Sequence, residues 1–328
     1  MKLMLKNFAL SLTLIYVLCF CFFGCSTDEE ANPADTLLPT EADLEQLIAQ
    51  ALDADKLQIR GAEGEELFYQ PNQETPYTGW VKEYYDDEEE DIRSLFHVRN
   101  GKFHGPATNW YDNGQKSEEG TFTEGKQDGM WTFWYENGQK SDAGTYKTGK
   151  RNGMWTEWYE NGQKRFEGTY KDDEPDGMWT FWYRENGQKS SAGTYKNGER
   201  DGWTFWYENG DKKVDGTYKE GGRDGAWKFW YENGQQVAEG TYKQDGEDVW
   251  RDGAWTFWHE NGEKWAEGTY KDGRRDGAWT FWHQNGQKAA EGTYKNGRTG
   301  DGWKLWNENG QLQWGWVDDR LPELPQVL

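Results

Sequence analysis

Asp128-Gly129-Met130-Trp131-Thr132-Phe133-Trp134-Tyr135-Glu136-Asn137-Gly138-Gln139-Lys140, followed three residues later by Gly144-Thr145-Tyr146-Lys147, is the stretch that decides the fold. Trp-Thr-Phe-Trp-Tyr is a short aromatic run of strand type, and Asn-Gly after it is the strongest short hairpin signal. Gln-Lys and Gly-Thr-Tyr form the returning strand. Lys-x-Gly-x-x-Asp-Gly is a loop rich in turn residues that launches the next copy. The Asn-Gly pair recurs at Asn113, Asn137, Asn161, Asn186, Asn209, Asn233, Asn261, Asn285 and Asn309, in steps of 24, 24, 25, 23, 24, 28, 24 and 24 residues. A divergent copy, Gly79 to Gly101, precedes them and carries an acidic stretch, Asp86 to Asp91, at its turn, which makes ten units. The 28-residue step holds an insertion around Asp245 to Arg251 that contains Trp250. Self-similarity at this period predicts an all-β repeat fold. Tandem hairpins would form an elongated, twisted, single-layer sheet with a short N-terminal helix.

Register sets the faces. A two-residue Asn-Gly turn, with positive φ at both residues, pairs Glu136 with Gln139 and sets Trp131 opposite Gly144. Trp131, Phe133, Tyr135, Gly144 and Tyr146 then share one face, and Thr132, Trp134, Ala143 and Thr145 the other. Trp131 would lie over Gly144, which repairs a strand glycine. A three-residue turn with Gly138 as a bulge would shift the return strand by one and swap its faces. The two-residue turn is the favoured register.

The wider composition fits. The chain has 328 residues, with 22 Trp, 18 Tyr and 41 Gly, and little aliphatic material for a conventional core. Its net charge of −22 opposes phosphate backbones and anionic headgroups, which argues against nucleic acid and direct membrane-surface binding. A basic protein partner is compatible with it. Lys2 and Lys6 precede an apolar run, Phe8 to Phe23, that is too short for a comfortable membrane span. Cys19, Cys21 and Cys25 are the only cysteines, so a chain processed at Cys25 would hold one cysteine and no disulfide. The expected organisation is a signal segment at 1–24, an acidic tether at 25–39, a capping helix and lead-in strands at 40–78, repeats at 79–317 and a tail at 318–328. Thr40 is a plausible N-cap, and Leu44, Leu47, Ile48, Ala51 and Leu52 make an apolar stripe to pack on the first strands.

Two resemblances add to this reading. Gly24-Cys25 at the end of the apolar run resembles a bacterial lipoprotein signal. That implies lipidation at Cys25 and a cell-envelope location, and Ser26 resembles lipoproteins sent to an outer membrane. Gly-x-Trp, Trp-Tyr-x-Asn-Gly-Gln, Gly-Thr-Tyr and Lys-x-Gly-x-x-Asp-Gly together resemble the MORN-variant repeat over about Gly79 to Val317. Bacterial proteins of that type are described as similar to the YwqK antitoxin family, which implies pairing with a toxin.

No constellation of catalytic type stands out, and no cofactor is implied. His259 and His283 occupy the Tyr135 position of successive units and read as tyrosine replacements. One Asp per loop in the series Asp128, Asp176, Asp201, Asp224, Asp252, Asp276 and Asp301 reads as turn chemistry rather than a calcium site. Two aromatic ladders remain. Trp131, Trp155, Trp179, Trp203, Trp227, Trp255, Trp279 and Trp303 form the structural one under the favoured register. Trp134, Trp158, Trp182, Trp206, Trp230, Trp258 and Trp282, continued by Trp306, form the more exposed one and, with Trp250, the candidate contact residues. Trp265, Trp314 and Trp316 are off-pattern, and the last two would cap the C-terminal edge. The leading expectation is a non-enzymatic, envelope-anchored scaffold for a protein partner. The rivals are a glycan-binding module that stacks sugars on the Trp ladder and a passive surface spacer.

Overall fold

The computed structural model describes residues 38–85 and 91–313, all within the unit Asp35–Leu328. The signal segment, Cys25, most of the expected tether, the acidic residues 86–90, Trp314, Trp316 and the tail lie outside the described residues.

Helix α1, Glu41–Gln50, begins as its sequence dictates. The Thr40 side chain accepts the Asp43 N–H, and the Asp43 carboxylate accepts the Thr40 N–H at 3.1 Å, a closed capping box. Leu44 and Ala51 are buried with Leu95 and Trp110, and Leu47 and Ile48 pack against the same cluster, so the helix covers the first strands. Leu52–Asp53 pairs in parallel with Gly79–Tyr84 at that edge. Gln58–Arg60 and Leu67–Tyr69 form a separate two-stranded sheet.

From Gly79 to Gln313 the strands follow one another antiparallel in chain order and, with Leu52–Asp53 at the edge, make one sheet of 23 strands among the described residues. The turns correct the expected register. Tyr135 N–H donates to Gln139 O and Gly138 N–H to Tyr135 O, so the loop holds three residues. Gly138 has φ 79°, while Asn137 is not left-handed. This is a type I turn closed by a glycine bulge. The two-residue turn with both φ positive occurs instead between units, at Thr148 (51°) and Gly149 (84°), where Lys147 pairs with Lys150. The Asn side chain explains the exchange. Asn137 Oδ1 accepts the Gln139 N–H at 2.9 Å and its amide donates to Glu160 O of the next unit at 2.9 Å.

The faces nonetheless end as the two-residue register required. Lys140 pairs with Trp134 and Asp142 with Phe133, so Ser141 is an extra residue on its strand. That second bulge cancels the shift introduced by the turn, and Trp131 falls opposite Gly144.

Candidate functional site

The inner face is an aromatic layer. Trp131, Trp155, Trp179, Trp203, Trp227, Trp255 and Trp279 are all at most 4% exposed, and Trp303, in the last unit, is half-buried. Each ring lies over a glycine of the preceding unit, not over its own hairpin partner. A Cβ on Gly144 would stand 2.3 Å from Trp155 Cδ2, and one on Gly120 would stand 2.2 Å from Trp131 Cδ2. The indole N–H of Trp155 donates to Thr145 O at 3.1 Å. The tryptophan series thus couples units, a correction to the expected pairing of Trp131 over Gly144. Tyr146 stands edge-on to Trp155 at 5.1 Å, and its own phenol is pushed up to about 12 by burial. In the C-terminal units an arginine closes the layer from above. The Arg251 guanidinium lies 4.8 Å from the Trp255 ring and 5.4 Å from the Phe257 ring and donates to the Tyr270 hydroxyl at 3.1 Å. In those units Phe257, Phe281 and Ala266 are fully buried.

Polar side chains enter the same face further N-terminal. Asp142 and Glu157 are direct cross-strand partners between units, at register positions held by Ser191 and Phe205 two units later. Burial raises both carboxyls above their ordinary range, Ser141 and Arg165 opposing it at Asp142 and the Asp142 charge reinforcing it at Glu157. Glu118, held by Asn109, is raised by burial as well.

One edge is latched by tyrosines. Tyr135 hydroxyl donates to Trp158 O at 2.7 Å, and the same bond repeats from Tyr85 to Tyr231. His259 Nε2 and His283 Nε2 reach Trp282 O and Trp306 O at 3.2 and 2.9 Å. A carbonyl only accepts, so Nε2 carries the proton. Both histidines therefore do the work of the tyrosine they replace. Beside them Trp265 stacks on His259 at 5.1 Å, along an open groove of about 860 Å³ that Trp282, Ala289 and Leu305 also line.

The outer face carries the other ladder. Trp134, Trp158, Trp182, Trp206, Trp230, Trp258, Trp282 and Trp306 are half-buried. Lysines from the preceding unit lie over three of these rings, Lys164 at 5.4 Å from Trp182, Lys212 at 5.6 Å from Trp230 and Lys264 at 5.6 Å from Trp282. Each of these lysines is also ion-paired, to Glu167, Asp215 and Glu267. Trp250 is half-buried opposite Lys243 and packs toward Gly273.

A row that sequence reasoning passed over lies on this same face. Met130, Met154 and Met178 are 60%, 61% and 69% exposed. The signal was present, because the residue before the buried tryptophan must face outward by strand alternation. The equivalent positions in later units are Ala226, Ala254 and Ala278. The aspartates of the Asp-Gly loops bond the backbone of the next unit, Asp276 Oδ1 accepting the Asn296 N–H at 3.2 Å and Asp224 Oδ1 the Gln244 N–H at 3.3 Å. No cluster of three or more His, Cys, Asp or Glu is placed to hold a metal among the described residues.

A family model described as MORN repeat variant matches residues 103–124, 127–148, 151–172, 223–244, 251–272 and 275–296. The chain contains MORN-variant repeats. These matches skip 173–222, where the 25-residue step ends and the 23-residue step lies. No curated protein matches the chain. Among solved structures, a chain of the crystal structure of TcdB2-TccC3 is similar at 10% identity over 78% of this chain, with a TM-score of 0.19. One of TcdB2-TccC3-Cdc42 is similar at 9% identity over 78%, with a TM-score of 0.17. This chain spans 15% and 16% of those two.

Proposed function

We propose that this MORN-repeat chain is a non-enzymatic scaffold, anchored at a bacterial cell envelope through a lipid on Cys25, that binds a protein partner on the outer face of its sheet. The observation that carries the reading is the exposed row Met130, Met154 and Met178, on the same face as the half-buried Trp134, Trp158 and Trp182. Adaptable thioethers and rigid aromatic rings on one face suit a protein surface, and repetition lets several weak contacts act together. The charge of −22 favours a basic partner. Lysine ammonium groups over Trp182, Trp230 and Trp282 occupy ring faces that a sugar would need, which favours protein over glycan. Pairing with a toxin is the narrower form of this reading.

A pull-down from envelope extracts with the intact chain and with a Met154→Glu, Trp158→Ala variant tests it. A basic protein captured by the first and lost by the second, with both equally folded, supports the outer face. Retention by both, or binding only on a glycan array, defeats it. Cys25→Ala tests the anchor separately, since sedimentation of that variant with membranes would remove the lipid from the scheme.

A further inference from the structure

The 23-residue step between Asn186 and Asn209 lacks one residue between its turn lysine and its tryptophan: six residues separate Lys196 from Trp203, where seven separate Lys171 from Trp179, Lys271 from Trp279 and, in the last unit, Lys295 from Trp303. In a regular junction the residues 152–154 face Thr145 alone, between the pairs Gly144–Trp155 and Tyr146–Arg151. Here only Asp201 and Gly202 face Thr194, between Gly193–Trp203 and Tyr195–Arg200. Gly202 is thereby drawn into the register of the outward Met or Ala, pairing with Thr217 as Met154 pairs with Thr169. It also loses the positive φ of Gly153, Gly177 and Gly225.

Four consequences meet at this place. Trp203 is 2% exposed, yet its indole N–H has no acceptor among the described residues, whereas the tryptophans on either side of it, Trp179 and Trp227, donate to Thr169 O and Thr217 O. The aromatic layer breaks. Trp155–Tyr170, Trp179–Tyr195 and Trp227–Tyr242 all pair within 6.3 Å, but among the described residues no Trp203–Tyr218 pair forms. Phe181–Trp203 and Phe229–Trp255 pair, but Phe205–Trp227 does not. The fully buried core is interrupted at the same point, one cluster ending at Trp203 and the next starting at Val214 and Trp227, with the half-buried Phe205 and Tyr218 packed against both. On the outer face a hollow of about 430 Å³ opens between Met178 and Ala226, the two neighbours in the row whose side chain Gly202 lacks.

The turn edge stays closed across this junction. Tyr207 hydroxyl donates to Trp230 O at 2.8 Å and Asn209 to Glu232 O at 2.7 Å.

We infer that the junction after Trp203 is a hinge built into the array, latched along the turn edge by Tyr207 and Asn209 and loosened in the aromatic layer. The repeats on its two sides then open and close as separate cooperative blocks. Repeat arrays depend on nearest-neighbour interfaces, so one weakened interface suffices to divide the cooperativity.

Native-state hydrogen exchange on the full chain tests this. Amides of Glu199–Trp206 and Lys212–Lys219 should exchange at least tenfold faster than those of Lys164–Lys171 and Lys264–Lys271. One methionine inserted between Gly202 and Trp203 restores the regular spacing and should bring the junction to the level of its flanks. If that insertion does not fold, a conservative pair decides. Trp203→Phe removes an N–H that bonds to nothing and should leave exchange in its own strands unchanged, while Trp179→Phe breaks the bond to Thr169 and should speed exchange in its own severalfold. Equal protection along the native array, a folded insertion variant with the junction still fast, or equal effects of the two Phe variants would each overturn the hinge.

Discussion

At Gly168 a Cβ would stand 2.2 Å from Trp179 Cδ2, a distance no side chain tolerates, so this position accepts only hydrogen. Gly168→Ala should overpack the layer and cost about 1–3 kcal/mol, read as a lowered melting temperature. Trp179 is 3% exposed and Trp182 half-buried. Trp179→Ala should therefore cost about 3–5 kcal/mol, the range for a buried aromatic, and Trp182→Ala clearly less. Thermal melts and fluorescence quenching of the pair check this, and a larger loss at Trp182 would mean that the inner and outer faces are exchanged. The carboxylates of the inner face give a residue-scale pH effect. Burial raises Glu118, Asp142 and Glu157, so the fold prefers their protonated forms. That preference is fully present below the ordinary carboxylate pKa and is lost as pH rises through the raised native values. The N-terminal repeats should gain stability on mild acidification. Asp142→Ser with Glu157→Phe installs the pair that Ser191 and Phe205 already make between units. It should stabilise the chain at neutral pH by about 0.5–1.5 kcal/mol, the scale of one aromatic pair, and shrink the gain in acid. Melts at neutral and mildly acid pH that shift in parallel for both proteins would contradict this.

The element of this structure is the hairpin, and it is held by two bulges that compensate. The glycine bulge at Gly138 alone would turn the return strand inside out, and the extra residue Ser141 turns it back. The two turns divide the labour by chemistry. Asn137 spends its side chain on the Gln139 N–H and on Glu160 O, which favours the three-residue loop, while the bare Lys-x-Gly turn takes the tighter two-residue form. Tyr159 hydroxyl meets Trp182 O at 3.1 Å. Tyr159→Phe should remove one neutral hydrogen bond, about 1 kcal/mol, without moving the register, and the melting temperature together with an unchanged β circular dichroism spectrum would show it.

For the whole molecule the governing fact is that each unit leans on the one before it. Excising Gly129 to Asn152 removes one 24-residue period and leaves Gly120 to receive Trp155 in place of Trp131. Such a deletion should give a shorter, folded protein with the same β signal per residue. Loss of that signal would mean that the array closes on itself through contacts between distant units.

The repeat period, the hairpin in every unit, the capping helix from Thr40 and the segregation of two tryptophan ladders follow from the sequence. They rest on local chemistry: strand alternation, turn residues and one N-cap. The partner of each buried tryptophan was decided only by tertiary structure. A ring reaches a neighbouring strand on either side, and pairing rules do not say which: hairpin register alone puts Trp131 over Gly144, whereas it lies on Gly120. The turn lengths differ from the local expectation for a related reason. Asn-Gly favours a two-residue turn in isolation, but here Asn137 has an acceptor in the next unit, at Glu160 O, that a single hairpin lacks. The exposed methionine row and the break at Trp203 are written in the sequence as a repeat position and a missing residue. Their meaning depends on what stands opposite each strand, and only the assembled sheet supplies it.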